Sequence, residues 1–87
     1  MKATVMPKWF VYIVRCSDKS LYTGITTDVA ARIKIHNFGK GAKYTRSRLP
    51  VKLVYKEAMR SESAARKREA EIKKLPRLEK LSLLRSR

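Results

Sequence analysis

The sequence predicts an α+β fold, a three-stranded antiparallel sheet flanked by helices in the order ββαβαα. Two short runs rich in β-branched and aromatic residues flank a turn-forming segment, and a third such run lies mid-chain. Helical periodicity with capping signals fills the remaining segments. The 87 residues suit one small domain, 1–87, with a core from about residue 9 to 81.

The first two runs, residues 9–16 and 21–25, predict a β-hairpin because the segment between them is rich in Ser and Asp. Directly opposed residues of an antiparallel pair share a face of the sheet. Tyr12 and Tyr22 therefore lie together if Cys16 opposes Tyr22, which requires a loop of three or five residues. A loop of four residues would place the two phenols on opposite faces.

A short helix is predicted from Val29 to about Asn37. Thr26-Thr27-Asp28 offers N-cap side chains, and Gly39 ends the helical pattern. Arg32 and His36 are four residues apart and lie next to each other on the helix surface. Their side chains can act at a shared point.

Residues 39–50 form a glycine-interrupted basic loop. An ordinary solvated connection has this composition, but cations beside a tyrosine also suit phosphate binding with base stacking. We interpret the loop as a nucleic-acid contact. The candidate binding residues are Lys40, Lys43, Tyr44, Arg46 and Arg48.

The third strand is predicted at Val51 to Ala58, where Val51, Leu53 and Tyr55 alternate with Lys52 and Lys56, although Val54 breaks the pattern. Ser61 is a candidate N-cap for a helix from Glu62 to Lys74. Pro76 ends that helix and suits the first turn of a last, leucine-bearing helix.

The charge balance points to a polyanionic partner. The chain has 22 Lys and Arg against 7 Asp and Glu, a net charge of +15, which exceeds what solubility requires. Nucleic acid is the first candidate and an anionic membrane the second. The longest apolar stretch, Trp9 to Val14, is too short to span a bilayer, so we expect no membrane partner.

A cytoplasmic location is expected, because the N-terminus lacks the apolar block and cleavage site of a secretory signal. Cys16 is the only cysteine, so no intrachain disulfide can form. We interpret it as a buried strand thiol.

The order Tyr12, Tyr22, Arg32, His36 and a downstream glutamate suggests a nuclease site. Phenols and an imidazole can handle a water proton, a guanidinium can stabilise a phosphorane, and a carboxylate can hold one metal ion. Two-metal catalysis needs clustered carboxylates, so the scarcity of acids favours a one-metal site. The seven acidic residues are Asp18, Asp28, Glu57, Glu62, Glu69, Glu71 and Glu79.

Ordinary structural roles compete with this hypothesis. Tyrosines are common in strands and half-buried phenols often cap a core, while His36 can pair with a helix end. Glu69 can form an intrahelical pair with Lys73 on a charged surface. Glu71, on the opposite flank of the same helix, is an alternative metal ligand.

From about Trp9 to Leu81 the chain resembles the GIY-YIG nuclease superfamily, similar to the amino-terminal nuclease domain of the bacterial excision-repair incision protein. The first signature is Val11-Tyr12-Ile13, with Phe10 in place of the usual glycine. The second is Tyr22-Thr23-Gly24, with threonine in place of the central isoleucine. Arg32, His36 and Glu69 complete the resemblance, and no downstream asparagine follows the glutamate.

The resemblance implies an endonuclease that hydrolyses DNA phosphodiester bonds, selects DNA structure and serves repair or recombination. One Mg²⁺ or Mn²⁺ ion would be held by Glu69, and Arg32 would stabilise the developing charge. Tyr12, with His36 or Tyr22, would activate or orient water. The expected partner is branched, nicked or single-stranded DNA, with a protein partner able to supply specificity.

Two alternatives explain the charge without catalysis. One is a nucleic-acid-binding module that keeps the fold without turnover and recruits a partner through its last helix. The other is a small basic RNA-binding or ribosome-associated protein, which leaves the order of the candidate site residues as coincidence.

Overall fold

The computed structural model describes residues 8–85, and its three strands form one antiparallel sheet in the order β2-β1-β3. The α+β class and the order ββαβαα are confirmed, with one further helical turn inside the segment predicted as a basic loop. The elements are β1 (Trp9–Arg15), β2 (Leu21–Thr26), α1 (Val29–Asn37), α2 (Lys43–Arg46), β3 (Lys52–Met59), α3 (Glu62–Lys73) and α4 (Arg77–Arg85).

The hairpin register places both site tyrosines on one face of the sheet. Arg15 pairs with Leu21, which leaves residues 16–20 as a five-residue loop. The prediction that the two tyrosines share a face is therefore confirmed. The prediction that Cys16 opposes Tyr22 is wrong, because Val14 is the residue opposite Tyr22. The backbone N–H of Cys16 instead donates to the Ser20 carbonyl at 2.9 Å, which closes the loop.

A β-bulge explains why the alternation fails in β3. Ile13 and Val14 are consecutive, yet they oppose Tyr55 and Leu53, so Val54 is the extra residue. The bulge sends Tyr55 and Leu53 to opposite faces of the sheet, whereas the alternation predicted that they share one. Because β3 changes face at this point, it contributes to the core on both sides.

The sheet separates two apolar cores. On the α3 face, Val11, Ile13 and Tyr55 pack with Ala65 and Ile72 of α3. On the α1 face, the buried residues are Tyr12, Val14, Cys16 and Val51, with Ile33 of α1 packed against them. Cys16 is 4% exposed, so its thiol is buried as expected, just beyond the end of β1.

Local capping fixes the ends of the long helices. The Asp28 carboxylate accepts from the Ala31 N–H at 3.0 Å, and the Ser61 hydroxyl accepts from the Ala64 N–H at 3.1 Å. Both caps lie where the sequence predicts them. Gly39 has φ of +80°, a backbone conformation that favours glycine and ends α1 as predicted.

Within residues 8–85, every helix is too short or too polar to cross a bilayer.

Candidate active site

The centre of the site is a buried hydrogen bond between the first strand and the first helix. The Tyr12 phenol oxygen lies 2.8 Å from Nε2 of His36. Both side chains are almost inaccessible, with 1% and 0% of their surface exposed. The pair therefore sits inside the protein, between β1 and α1.

Thr45 of α2 determines which nitrogen of His36 carries the proton. The Thr45 hydroxyl donates its one hydrogen to the Ala42 carbonyl at 2.9 Å. The same hydroxyl lies 2.9 Å from Nδ1 of His36, so it must accept there, and Nδ1 must be protonated. In the neutral ring Nε2 is then an acceptor, and the Tyr12 hydroxyl donates to it.

The electrostatics agree with a neutral imidazole and a neutral phenol. Burial, helped by the positive charge of Arg32, lowers the pKa of His36 below its ordinary value. Burial also raises the pKa of Tyr12, and the charges of Tyr22 and Glu69 add to this rise while Arg32 opposes it. The positive charge of Arg32 therefore does not outweigh the effect of burial on the Tyr12 phenol.

Arg32 has an unused donor beside this pair. Among the described residues, its Nε atom is the buried side-chain nitrogen that lacks a hydrogen-bond partner. A buried N–H without an acceptor is costly, typically about 1–3 kcal/mol. An arriving phosphate oxygen would relieve that cost, so the geometry suits an anionic ligand.

Two tyrosines and two cations form a column at the edge of the site. The rings of Tyr22 and Tyr44 stack at 6.1 Å with an interplanar angle of 20°. The Lys73 ammonium lies 5.9 Å from the Tyr22 ring centroid, and the Arg48 guanidinium lies 4.0 Å from that of Tyr44. Tyr22 also meets His36 edge-on, with ring centroids 5.5 Å apart, so the column borders the hydrogen-bonded pair.

The two competing glutamates of α3 have different surroundings. Glu69 is 19% exposed and forms the expected ion pair with Lys73 at 3.0 Å, and its charge acts on Tyr12. Glu71 is 58% exposed and pairs with Arg68 at 3.1 Å. Arg68 also binds Glu57 at 3.0 Å, so Glu71 belongs to a separate ionic network.

The small number of carboxylates near the site limits the kind of metal ion that it can bind. Across the described part of the chain, no three His, Cys, Asp or Glu residues gather closely enough to enclose an ion. Mg²⁺ commonly keeps several waters and uses one or two carboxylates plus substrate phosphate oxygens. Glu69 fits that limited role, provided that it exchanges Lys73 for the ion.

The candidate nucleic-acid contacts divide into two groups. Lys40, Lys43 and Arg46 are exposed and available to solvent. Arg48 instead forms an ion pair with Asp18 at 3.0 Å, and its Nη1 donates to the Tyr44 carbonyl at 2.7 Å. Arg48 is therefore engaged in holding α2 and the hairpin loop together.

Two glycines leave room for the paired rings. A Cβ added at Gly24 would lie 2.6 Å from the Tyr12 phenol oxygen. One added at Gly41 would collide with Nδ1 of His36 and lie 2.9 Å from its Cε1. Neither ring can move freely because both are buried, so these positions require glycine.

Sequence reasoning identified the side chains at the centre but missed what supports them. Thr45 and Gly41 lie in the basic segment, where charge dominated the interpretation. The available signal was indirect: a buried imidazole needs partners for both nitrogens, and nearby threonines are candidates.

This fold and site define a class of nucleases. The sequence profile described as the GIY-YIG catalytic domain matches residues 8–81, and the chain belongs to the GIY-YIG family. The resemblance carried by the two tyrosine signatures is thereby confirmed.

Its relatives are small proteins named UPF0213. One from Staphylococcus haemolyticus is 57% identical over 82 residues, which span 94% of this chain and 100% of the relative. One from Desulfotalea psychrophila is 56% identical over 84 residues, which span 95% of this chain and 76% of the relative.

Two solution NMR structures share the fold. The UPF0213 protein of Bacillus halodurans is 49% identical, with a TM-score of 0.61 over 92% of this chain and 85% of that one. A protein of E. faecalis is 40% identical, with a TM-score of 0.62 over 91% and 84%.

Proposed function

We propose that this protein is a metal-dependent endonuclease that hydrolyses DNA phosphodiester bonds. The observation that carries the proposal is the Tyr12–His36–Thr45 hydrogen-bond chain beside the partnerless Nε of Arg32. Together they supply a proton acceptor and a fixed positive charge, which are two of the groups that attack of water on a phosphodiester requires.

The proton path places Tyr12 and His36 in series. His36 is fully buried, so it acts on water only through Tyr12. As the phenol oxygen takes a proton from water, its own proton passes to Nε2 of His36. The resulting hydroxide attacks phosphorus, the bond to the leaving oxygen breaks, and that oxygen takes a proton from solvent.

This arrangement removes the need for a free phenolate. The pKa of Tyr12 is raised, so a tyrosinate is a rare species at neutral pH. A concerted transfer never forms it, because one proton leaves the phenol as another arrives. Thr45 accepts the Nδ1 hydrogen throughout and keeps Nε2 available.

Arg32 supplies the charge that the phosphorane requires. Its positive charge already acts on both Tyr12 and His36, so it lies near the reacting position. The unused Nε–H gives it a donor for a phosphate oxygen without breaking an existing bond. Charge develops on that oxygen as water attacks, so the interaction strengthens in the transition state.

Glu69 is the proposed ligand of one Mg²⁺ or Mn²⁺ ion. When bound, the ion would polarise the scissile phosphate and stabilise the leaving oxygen. Glu69 would give up Lys73 on binding the ion, and Lys73 would remain beside Tyr22 as a further phosphate contact. Tyr12 is 1% exposed, so substrate reaches it only after neighbouring side chains shift.

The proposed substrate is DNA with a branch, nick or single-stranded portion, as formed in repair or recombination. Lysine and arginine contacts to phosphate carry no sequence information, so shape or a protein partner must supply selectivity. The exposed Lys40, Lys43 and Arg46 are the proposed backbone contacts. Tyr44 and Arg48 contribute by forming part of the column of stacked side chains at the edge of the site.

A cleavage assay with matched glutamate variants tests the proposal. Nicked, flapped, single-stranded and duplex DNA would be incubated with Mg²⁺ or Mn²⁺ and the wild-type, Glu69→Gln or Glu71→Gln protein. We expect Glu69→Gln to lower the rate by about 100-fold or more and Glu71→Gln to retain most of it.

Equal cleavage by wild type and Glu69→Gln would remove the metal assignment. Steeply salt-dependent binding without cleavage of any substrate would instead support a non-catalytic binding module.

A further inference from the structure

Helix α1 and its C-cap residue, Phe38, carry a second apolar stripe on the side that faces solvent. On its core-facing side Val29 is buried and Ile33 packs against the core on the α1 face of the sheet. Ala31, Ile35 and Phe38 follow one another at spacings of four and three residues and therefore line one outer stripe. Ile35 is 38% exposed and Phe38 is 78% exposed.

This outer stripe borders the candidate active site. Arg32 and Ile35 are three residues apart on α1, so their side chains are neighbours on the helix surface. His36, one residue further, reaches inward to Tyr12. A ligand whose phosphate contacts Arg32 would therefore place its next groups over Ile35 and Phe38.

The charge around the stripe indicates the chemistry of its partner. From Val29 to Lys56 the chain has eight Lys and Arg and no Asp or Glu. A second copy of this chain, with net charge +15, would be repelled, whereas a polyanion would be attracted. The cations of this stretch are Arg32, Lys34, Lys40, Lys43, Arg46, Arg48, Lys52 and Lys56, of which Arg32 and Lys34 lie on α1 with the stripe.

We propose that Phe38 and Ile35 bind an unpaired nucleobase of the strand whose phosphate lies at Arg32. Nucleobases are flat groups carried on the sugars of a sugar-phosphate backbone, so a polyanion that also fits an exposed ring and an aliphatic side chain is single-stranded nucleic acid. In a duplex the bases are stacked on each other and cannot reach Phe38. The stripe therefore selects DNA with single-stranded or splayed bases, an inference that rests on the proposed function.

The test measures binding alone, without divalent metal ions. Fluorescence anisotropy in EDTA would compare a labelled single-stranded oligonucleotide with a duplex of the same length. Phe38→Ala would be compared with Leu78→Ala, since Leu78 is a similarly exposed apolar side chain, 81% exposed, on α4.

Phe38→Ala should weaken single-strand binding by about 5- to 150-fold, the range for loss of one stacked base. Leu78→Ala should change it by less than about twofold. The slope of log affinity against log salt should stay the same in Phe38→Ala, because stacking releases no counterions. Duplex binding should change little, and Phe38→Trp should restore single-strand affinity.

Equal effects of the two alanine variants on single-strand binding would overturn the proposal. A wild-type dimer in sedimentation that Phe38→Ala dissociates would also overturn it, because the stripe would then join two copies. Failure of the endonuclease proposal is recognised separately. In that case no substrate is cleaved with metal present, while the selective effect of Phe38→Ala on binding in EDTA remains.

Discussion

Thr45 is the residue on which the proposed proton path depends most. It is fully buried, and it accepts from His36 Nδ1 while donating to the Ala42 carbonyl. Because the hydroxyl donates its one hydrogen to the Ala42 carbonyl, it can only accept from the ring. The neutral imidazole is therefore protonated on Nδ1. We class Thr45 as a positioning residue, because it acts on water through His36 and Tyr12.

Thr45→Val should reduce kcat by about tenfold or more, because the isosteric side chain offers no acceptor to Nδ1. Thr45→Ser should restore most of the rate. The change has a direct spectroscopic readout, since His36 is the only histidine and its ¹⁵N shifts report the tautomer without overlap. Wild type should show a protonated Nδ1, and Thr45→Val should lose that state.

Thr27→Val is the matched control, because Thr27 is exposed in the turn between β2 and α1. It should leave both kcat and the imidazole shifts unchanged. Unchanged shifts in Thr45→Val would show that another group fixes the tautomer.

At the scale of elements, one side chain joins the end of α1 to the start of β3. The Asn37 amide donates to the Val51 carbonyl at 3.1 Å, and its oxygen accepts from the Val51 N–H at 2.7 Å. The two bonds reproduce the pairing of a neighbouring strand. They fix the position from which α1 presents Arg32 and His36.

Asn37→Ala should lower the free energy of unfolding by about 1–3 kcal/mol. The N–H and the carbonyl of Val51, a buried residue, would each lose the Asn37 side-chain atom that they bind. Urea unfolding measures the loss, and hydrogen exchange should show faster exchange of the Val51 amide. Lys34→Ala on the exposed side of α1 is the control and should cost less than about 0.5 kcal/mol. Equal stability of the two variants would contradict this role of Asn37.

Sequence patterns predict elements better than they predict register. Asp28 and Ser61 predict the starts of their helices, because an N-cap side chain bonds to a backbone N–H only three residues further along the chain. The bulge at Val54 depends on how β3 meets β1, which no local pattern encodes. α2 was missed because its four residues are mostly polar, with only the buried Thr45 to reveal its inward side.

For the molecule as a whole, the buried imidazole makes stability depend on pH. In the unfolded chain His36 titrates near 6.5, whereas in the fold its pKa is lower. Between the two pKa values the unfolded state binds more protons, so the free energy of unfolding falls as pH falls through this window. The stabilisation that comes from keeping His36 neutral in the fold is fully present above pH 6.5 and is lost as pH falls.

Urea unfolding from pH 5 to pH 8 measures this dependence, and His36→Gln should flatten it. The lowered pKa of Asp18 does not interfere, because that carboxylate loses its contribution only as pH falls below its ordinary 3.8. A wild-type profile that is flat between pH 5 and pH 7 would show that burial does not hold His36 neutral.

The sequence predicted the family of the whole molecule correctly, because the family is marked by an ordered set of residues. The order of the tyrosines, arginine, histidine and glutamate identified the family, whereas the polyanionic partner that the charge indicates stays a prediction. Thr45 and the outer stripe of α1 escaped detection for a common reason. Burial of a hydroxyl and exposure of Phe38 are properties of the assembled surface, which composition does not reveal.

The contact between Gly24 and Tyr12 links the two family signatures. The residues pair directly across β1 and β2, and the phenol occupies the space where a Cβ at position 24 would lie. The glycine that ends the second signature is thus required by the tyrosine of the first. A substitution at Gly24 should therefore disturb the Tyr12 phenol as directly as a substitution at Tyr12 itself, because the two residues meet one physical constraint.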